Sequence, residues 1–169
     1  IANDSSAAPP KPVAAPQPTP IVPPRTEKPA KTSTNKINET SSIEIHGDTV
    51  VFRVNHPLGM VDFEPDEKTQ NKLLKAAHAS NQIIIRGRTD SNYVNDANQR
   101  IALGRAVEAR KFLISNGIGD DKIRLFFLSA GDHIADNSTD AGKALNRRVE
   151  LETHGIDVKH LFGGDFTGS

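Results

Sequence analysis

The chain contains no cysteine, which excludes disulfides, thiolate metal sites and a cysteine nucleophile. It also lacks a charge of prevailing sign. Its 21 Lys and Arg residues stand against 21 Asp and Glu, so no bulk attraction to nucleic acid or to an anionic membrane is implied. No apolar run approaches the roughly 18–20 residues that cross a bilayer, and no signal peptide is legible. Aromatic residues make up only 5% of the chain. With balanced charge, that scarcity argues against a nucleic-acid role for the arginines of "RGR" and "NRRV". The six histidines, at 46, 56, 78, 133, 154 and 160, show no metal-ligand spacing of the HExxH kind. Asp132, His133 and Asp136 read as a solvated loop. Asp120 and Asp121 read as a cap and turn, and "GIGDD" lacks the Gly-Lys-Ser/Thr ending of a phosphate loop. Neither an enzyme nor a cofactor or metal is expected.

Absences also divide the chain. No glycine precedes Gly47 and no aromatic residue precedes Phe52, while nine of the eleven prolines fall in the first thirty residues. Residues 1–42 cannot bury enough surface to offset their ordering entropy. They are expected to form a disordered, Pro/Ala-rich arm that favours extended polyproline II, reaching at most about 130 Å at ~3.1 Å per residue. A semi-rigid spacer is the plainer account of this arm, with an SH3-type ligand as the alternative. The chain opens at Ile1 rather than at methionine, and it is read as a mature or truncated form.

What is present from residue 43 to 154 has the pattern of one α/β domain. "DTVVFRV" (48–54) is enriched in β-branched residues and predicts a strand. "EPDEKTQNKLLKAAHA" (64–79) predicts a helix, with Pro65 and two acidic residues in its first turn. "QIIIRG" (82–87) predicts a strand buried on both faces. Residues 95–116 predict a long helix closed by Gly117. "KIRLFFLS" (122–129) and "RRVELET" (147–153) predict two further strands, with a short helix over 139–145 between them. The order βαβαβ(α)β implies two main helices packed on a mixed four-stranded sheet. The segment 155–169 is expected to be a flexible tail.

The chemistry concentrates in "RGRTDSNYVNDANQRIALGR" (86–105). Asp90 lies in the loop at the carboxyl end of a central strand, the usual ligand edge of an open α/β sheet, and the loop leads into a helix N-terminus that favours an anion. Asn98 and Arg105 are seven residues apart, so they share a helix face to within ~20°. Leu103, Ala106, Val107, Arg110, Leu113 and Ile114 mark a different stripe, expected to pack on the sheet, which puts Arg105 off the core side. An aspartate, backbone donors and an arginine together suit a zwitterion: the carboxylate takes an ammonium, and the guanidinium fork takes a carboxylate. The plainer account is that Asp90 caps a turn and Arg105 forms an ordinary surface ion pair.

Gly87, Thr89 and Asp90, then Asn98, then Arg105-Ala106, then Gly117, then Asn146-Arg147-Arg148-Val149 resemble, in order and spacing, the OmpA-like peptidoglycan-binding domain. The resemblance covers residues 48–152. It implies non-catalytic binding of the diaminopimelate residue in the peptidoglycan stem peptide, with Asp90 on the ammonium and Arg105 on the carboxylate. It further implies that Thr89, Ser91, Asn98, Ala102 and Arg147 line or support the same groove, with backbone N–H groups of residues 90–92 as added donors. Gly87, Asn146 and Arg148 are the structural part of the motif. The chain departs from the family at Arg88, where histidine is frequent, at Ala97, at Ala102, in "AGDHIADN", and in the inserted-looking "NHPLGM". The resemblance implies a periplasmic protein tethered to the outer membrane, as a lipoprotein or through another segment, with peptidoglycan and envelope or secretion-complex proteins as partners and no nucleic acid. The alternative is an interaction module of a conjugation or secretion machine that has lost wall binding.

Overall fold

The computed structural model describes residues 41–163. The expected arm lies, up to residue 40, outside the described residues, as does the end of the chain from 164. Nine main elements follow in order: β1 (Ser41–His46), β2 (Thr49–Asn55), α1 (Glu67–Ala79), β3 (Gln82–Arg88), α2 (Asp96–Ser115), β4 (Ile123–Leu128), α3 (Asp140–Asn146), β5 (Arg148–His154) and α4 (Val158–Phe162). The sheet has five strands in the order β1-β2-β5-β3-β4, not four. Only β3 and β4 are parallel, and the other three pairings are antiparallel. The additional strand, β1, joins β2 through Gly47-Asp48, with His46 paired to Thr49. Gly47 sits at φ +66 and Asp48 does not share that region, the combination of a type II′ hairpin turn. β1 therefore starts at Ser41, inside the segment expected to be arm.

Period-two alternation assigns the two sheet faces. Val50, Phe52, Val54, Ile83, Ile85, Val149 and Leu151 project into a core completed by Leu73, Ala76 and Ala77 of α1 and by Ala106, Ala109 and Leu113 of α2. The other face is a lattice of ion pairs. Arg53 bridges Glu44 at 2.8 Å and Glu150 at 3.1 Å, Arg148 meets Glu150 at 2.6 Å, and Arg86 meets Glu152 at 2.9 Å.

Helix ends follow their local chemistry. Asp66 caps α1 through Thr69 N. Asn95 caps α2 through Asn98 N. Gly117, at φ +91, closes α2 in a Schellman motif, with Ile118 N on Leu113 O and Gly117 N on Ile114 O. Lys122 Nζ, just before β4, reaches the carbonyls of Ala77, His78 and Ser80 and so closes α1.

The stripe of α2 that faces the sheet differs from the expected one. Ala102, Arg105, Ala106, Ala109 and Leu113 are buried, whereas Leu103 and Ile114 are exposed. Small residues explain the rotation: a Cβ on Gly87 would lie 1.9 Å from Ala102 O, so helix and strand backbones approach more closely than large side chains would permit. The segment from 155 also departs from expectation. Ile156 and Phe162 are buried and join the core, and Ile156 N donates to Asp48 O. Apolar residues at 156, 158, 161 and 162 give this segment a face to dock.

Candidate functional site

The site is built at the carboxyl end of β3. Thr89 is buried there, and its hydroxyl donates to Ser129 O at 2.8 Å while accepting from Ser91 N at 3.0 Å. That fastens the β3–α2 loop to the end of β4 and turns the chain sharply at Asp90. The Asp90 carbonyl accepts from Asn137 Nδ2 at 2.7 Å. Ser91 Oγ donates to Tyr93 O at 2.7 Å and accepts from Asn98 Nδ2 at 2.8 Å. Asn98 thus ties the loop to the first turn of α2. The loop is a framed platform for one carboxylate. Ser91 N is engaged by Thr89, while the N–H groups of Asp90 and Asn92 meet no acceptor among the described residues.

That carboxylate pairs with Arg147: Asp90 Oδ2 accepts from Nη1 at 2.9 Å, and both side chains are partly exposed, at 19% and 17%. Arg147 is aimed by its setting at the start of β5. Its Nε donates to His56 O at 3.2 Å, and its own carbonyl accepts from His56 N at 2.8 Å. Among the described residues nothing engages Nη2 of Arg147 or Oδ1 of Asp90. Each member of the pair therefore keeps one open atom.

Arg105 is placed otherwise than its spacing predicts. It is not off the core side but 1% exposed, and it makes no hydrogen bond to Asp90. Its Nε donates to Met60 O at 2.8 Å, Nη1 to Arg88 O at 2.8 Å and Nη2 to Pro57 O at 3.3 Å. Burial, and then repulsion from Arg147, pull its pKa down to about 10 against the attraction of Asp90. It remains a cation at neutral pH, buried behind the exposed pair. Ala102 is also fully buried. It lies against Gly87 and does not line an open groove.

Asn146 and Arg148, the other motif residues at the start of β5, bond to the surrounding chain. Asn146, fully buried, accepts from Ile134 N and Ala135 N and donates to Ala135 O and Asn137 Oδ1, at 2.7–3.0 Å. Arg148 binds Glu150, the Asn146 carbonyl and the Asp132 carbonyl. Arg88 pairs with Asp132. The Asp132–His133–Asp136 group is dispersed, with Asp132 on Arg88, His133 on Ser91 O and Asp136 on Ser138. Among the described residues no three His, Asp or Glu side chains form a metal-binding group.

Pattern reading missed His56. It is 3% exposed, and neither ring nitrogen has a hydrogen-bond partner, although the backbone of Asp62 comes near. Burial and the nearby Arg105 cation push its pKa down to about 3, so the ring is neutral. The one signal in the sequence was its place at the start of the inserted-looking "NHPLGM".

Comparison with known proteins bears on this arrangement. Residues 64–147 match the model of the OmpA family, a span that includes every residue of the Asp90–Arg147 site except those of the β2–α1 loop. The "Probable lipoprotein YiaD" of Escherichia coli (strain K12) is 43% identical over 69 residues, 41% of this chain and 32% of that protein. The "Peptidoglycan-binding protein ArfA" of Mycobacterium tuberculosis (strain ATCC 25618 / H37Rv) is 31% identical over 90 residues, 53% of this chain and 27% of that protein. The chain spans about a third or less of these two relatives. The solved cell wall anchor of the T6SS from Pseudomonas aeruginosa shares the fold, with a TM-score of 0.56 over 73% of this chain and 93% of that one at 18% identity.

Proposed function

Because residues 64–147 belong to the OmpA family, we propose that the chain is a non-catalytic module that grips the diaminopimelate residue of the peptidoglycan stem peptide and anchors an envelope protein to the cell wall. The observation that carries this reading is the Asp90–Arg147 pair with its two open atoms. A zwitterion bridges such a pair without breaking it: its ammonium meets Asp90 Oδ1, and its carboxylate meets Arg147 Nη2 and the free N–H groups of Asp90 and Asn92. Thr89, Ser91 and Asn98 hold the loop in place and do not themselves select the ligand. Arg105 adds positive potential from behind. The relatives named for peptidoglycan binding and for wall anchoring support the reading, and the lipoprotein among them supports a lipid tether; we place the module in the periplasm, tethered to the outer membrane.

A second reading, an interaction module of a secretion or conjugation machine, draws on a different feature. The edge strand β4 exposes Phe126, Phe127 and Leu128, and an apolar sheet edge is a common protein contact. Co-sedimentation with purified sacculi separates the two. The protein is expected to sediment with the wall and to be competed off by free meso-diaminopimelate. Asp90→Asn and Arg147→Ala should each reduce retention at least tenfold. Retention equal to the parent in both variants would remove the wall-binding reading.

A further inference from the structure

The loop between β2 and α1 lies over Arg105. For residues 57–61, the hydrogen bonds to the rest of the fold come, among the described residues, from this one side chain: Nε to Met60 O and Nη2 to Pro57 O. The remaining bond of the loop is internal, from Met60 N to Pro57 O. The ends are hinged. At one, His56 and Arg147 exchange N–H···O bonds. At the other, Phe63 packs on Phe112 with ring centroids 5.2 Å apart. Between them the tip is unrestrained, with Leu58 74% exposed and Gly59 at φ +74 with open space around it.

We propose that this loop is a lid latched by Arg105, and that a ligand carboxylate opens it by taking the guanidinium from the Met60 and Pro57 carbonyls. The ligand half of the proposal rests on the wall-binding reading above; the latch half does not. The closed state leaves two buried costs unmet: a guanidinium held by neutral carbonyls with no carboxylate in direct contact, and a histidine beneath the loop with both nitrogens unpaired. A carboxylate brings the full opposite charge and the two-oxygen geometry that the loop carbonyls lack to a guanidinium already out of water, so an entering carboxylate outcompetes the loop. The lid then governs whether the site offers only the exposed Arg147 or both arginines.

Amide hydrogen exchange tests both halves. In Arg105→Lys, which keeps the charge but loses the three-carbonyl fork, exchange at the Met60 amide, the bonded N–H of this loop, should quicken at least tenfold while β5 stays unchanged. Gly104→Ala is the independent variant, because its new Cβ would lie 2.9 Å from Val61 Cγ1. It pushes the loop while favouring the α2 helix, so the same local quickening is expected with the fold intact. Loop exchange equal to the parent in Gly104→Ala overturns the latch, whether or not Arg105→Lys folds. With a saturating diaminopimelate-containing muropeptide, the parent should show faster exchange at the Met60 amide and slower exchange at 90–92. Protection at 90–92 with an unchanged loop overturns the lid and leaves the wall reading standing. No change in either place overturns carboxylate opening together with the wall reading.

Discussion

His56 shows how one side chain sets a pH response. The unfolded chain binds a proton there near the ordinary pKa of 6.5, whereas the folded ring resists protonation down to about 3. The unfolded state therefore carries more protons between these values. The stability linked to His56 is complete above pH 6.5 and falls as pH drops towards 3, by about 1.4 kcal/mol per unit. Between pH 7 and pH 5 the protein should lose about 2 kcal/mol from this group alone. His56→Phe keeps a ring and removes the unpaired nitrogens, so it should flatten that part of the profile and stabilise the fold at pH 7 by about 1 kcal/mol. Urea unfolding of both proteins at pH 7 and pH 5 measures this, and equal pH slopes would clear His56 of the role. The order and spacing of a motif singled out Asp90, Asn98, Arg105 and Arg147, and the structure sets Arg147 on Asp90 and Asn98 on the Asp90 loop. The burial of Arg105 was not legible, because helical spacing fixes which residues share a face and leaves open which face the sheet takes. His56 was illegible because a lone histidine before proline carries no periodic signal, and its isolation comes from a loop folded over it.

Among the elements, the contact of α2 with β3 decides whether the site exists. Gly87 is tolerated because nothing projects from it: an added Cβ would meet Ala102 O at 1.9 Å and Ala106 N at 3.1 Å, both backbone atoms. No rotamer change relieves that, so Gly87→Ala must lift the helix from the strand. The expected cost is about 3 kcal/mol or more, read as a lower urea midpoint at unchanged slope. Retention on sacculi should fall with it, since Asn98 on the lifted helix braces the Asp90 loop. The strands and helices themselves were readable, because period-two runs and caps are local properties. The β1 strand was not, since a six-residue stretch with two serines next to a proline-rich segment gives too short an alternation. The helix stripe was right at Ala106 and Leu113 and misplaced at Leu103 and Ile114, because large apolar residues dominate a periodicity count while the closest part of this interface is made of alanines and a glycine. The docking of 156–162 likewise depends on a distant partner, the open end of the α1 and sheet core.

For the whole molecule, charge balance separates a specific grip from a general one. Lys and Arg equal Asp and Glu, at 21 each, and one sheet face neutralises its own charges in the Arg53, Arg86, Arg148, Glu44, Glu150 and Glu152 lattice. Such a surface has little long-range attraction for the anionic polymers of an envelope. On the wall-binding proposal, retention must then come from the short contacts at Asp90 and Arg147, which are partly buried and weakly screened. Raising ionic strength from about 0.05 to 0.5 M shortens the Debye length from about 14 to about 4 Å, which abolishes diffuse attraction and leaves partly buried contacts at hydrogen-bond distance largely intact. Sacculus retention should change less than threefold over that range, while free diaminopimelate should compete equally well at both ends. Retention that collapses with salt and ignores the free amino acid would mean that the wall holds this protein through diffuse charge, and that the Asp90–Arg147 pair is an ordinary ion pair at the end of a strand.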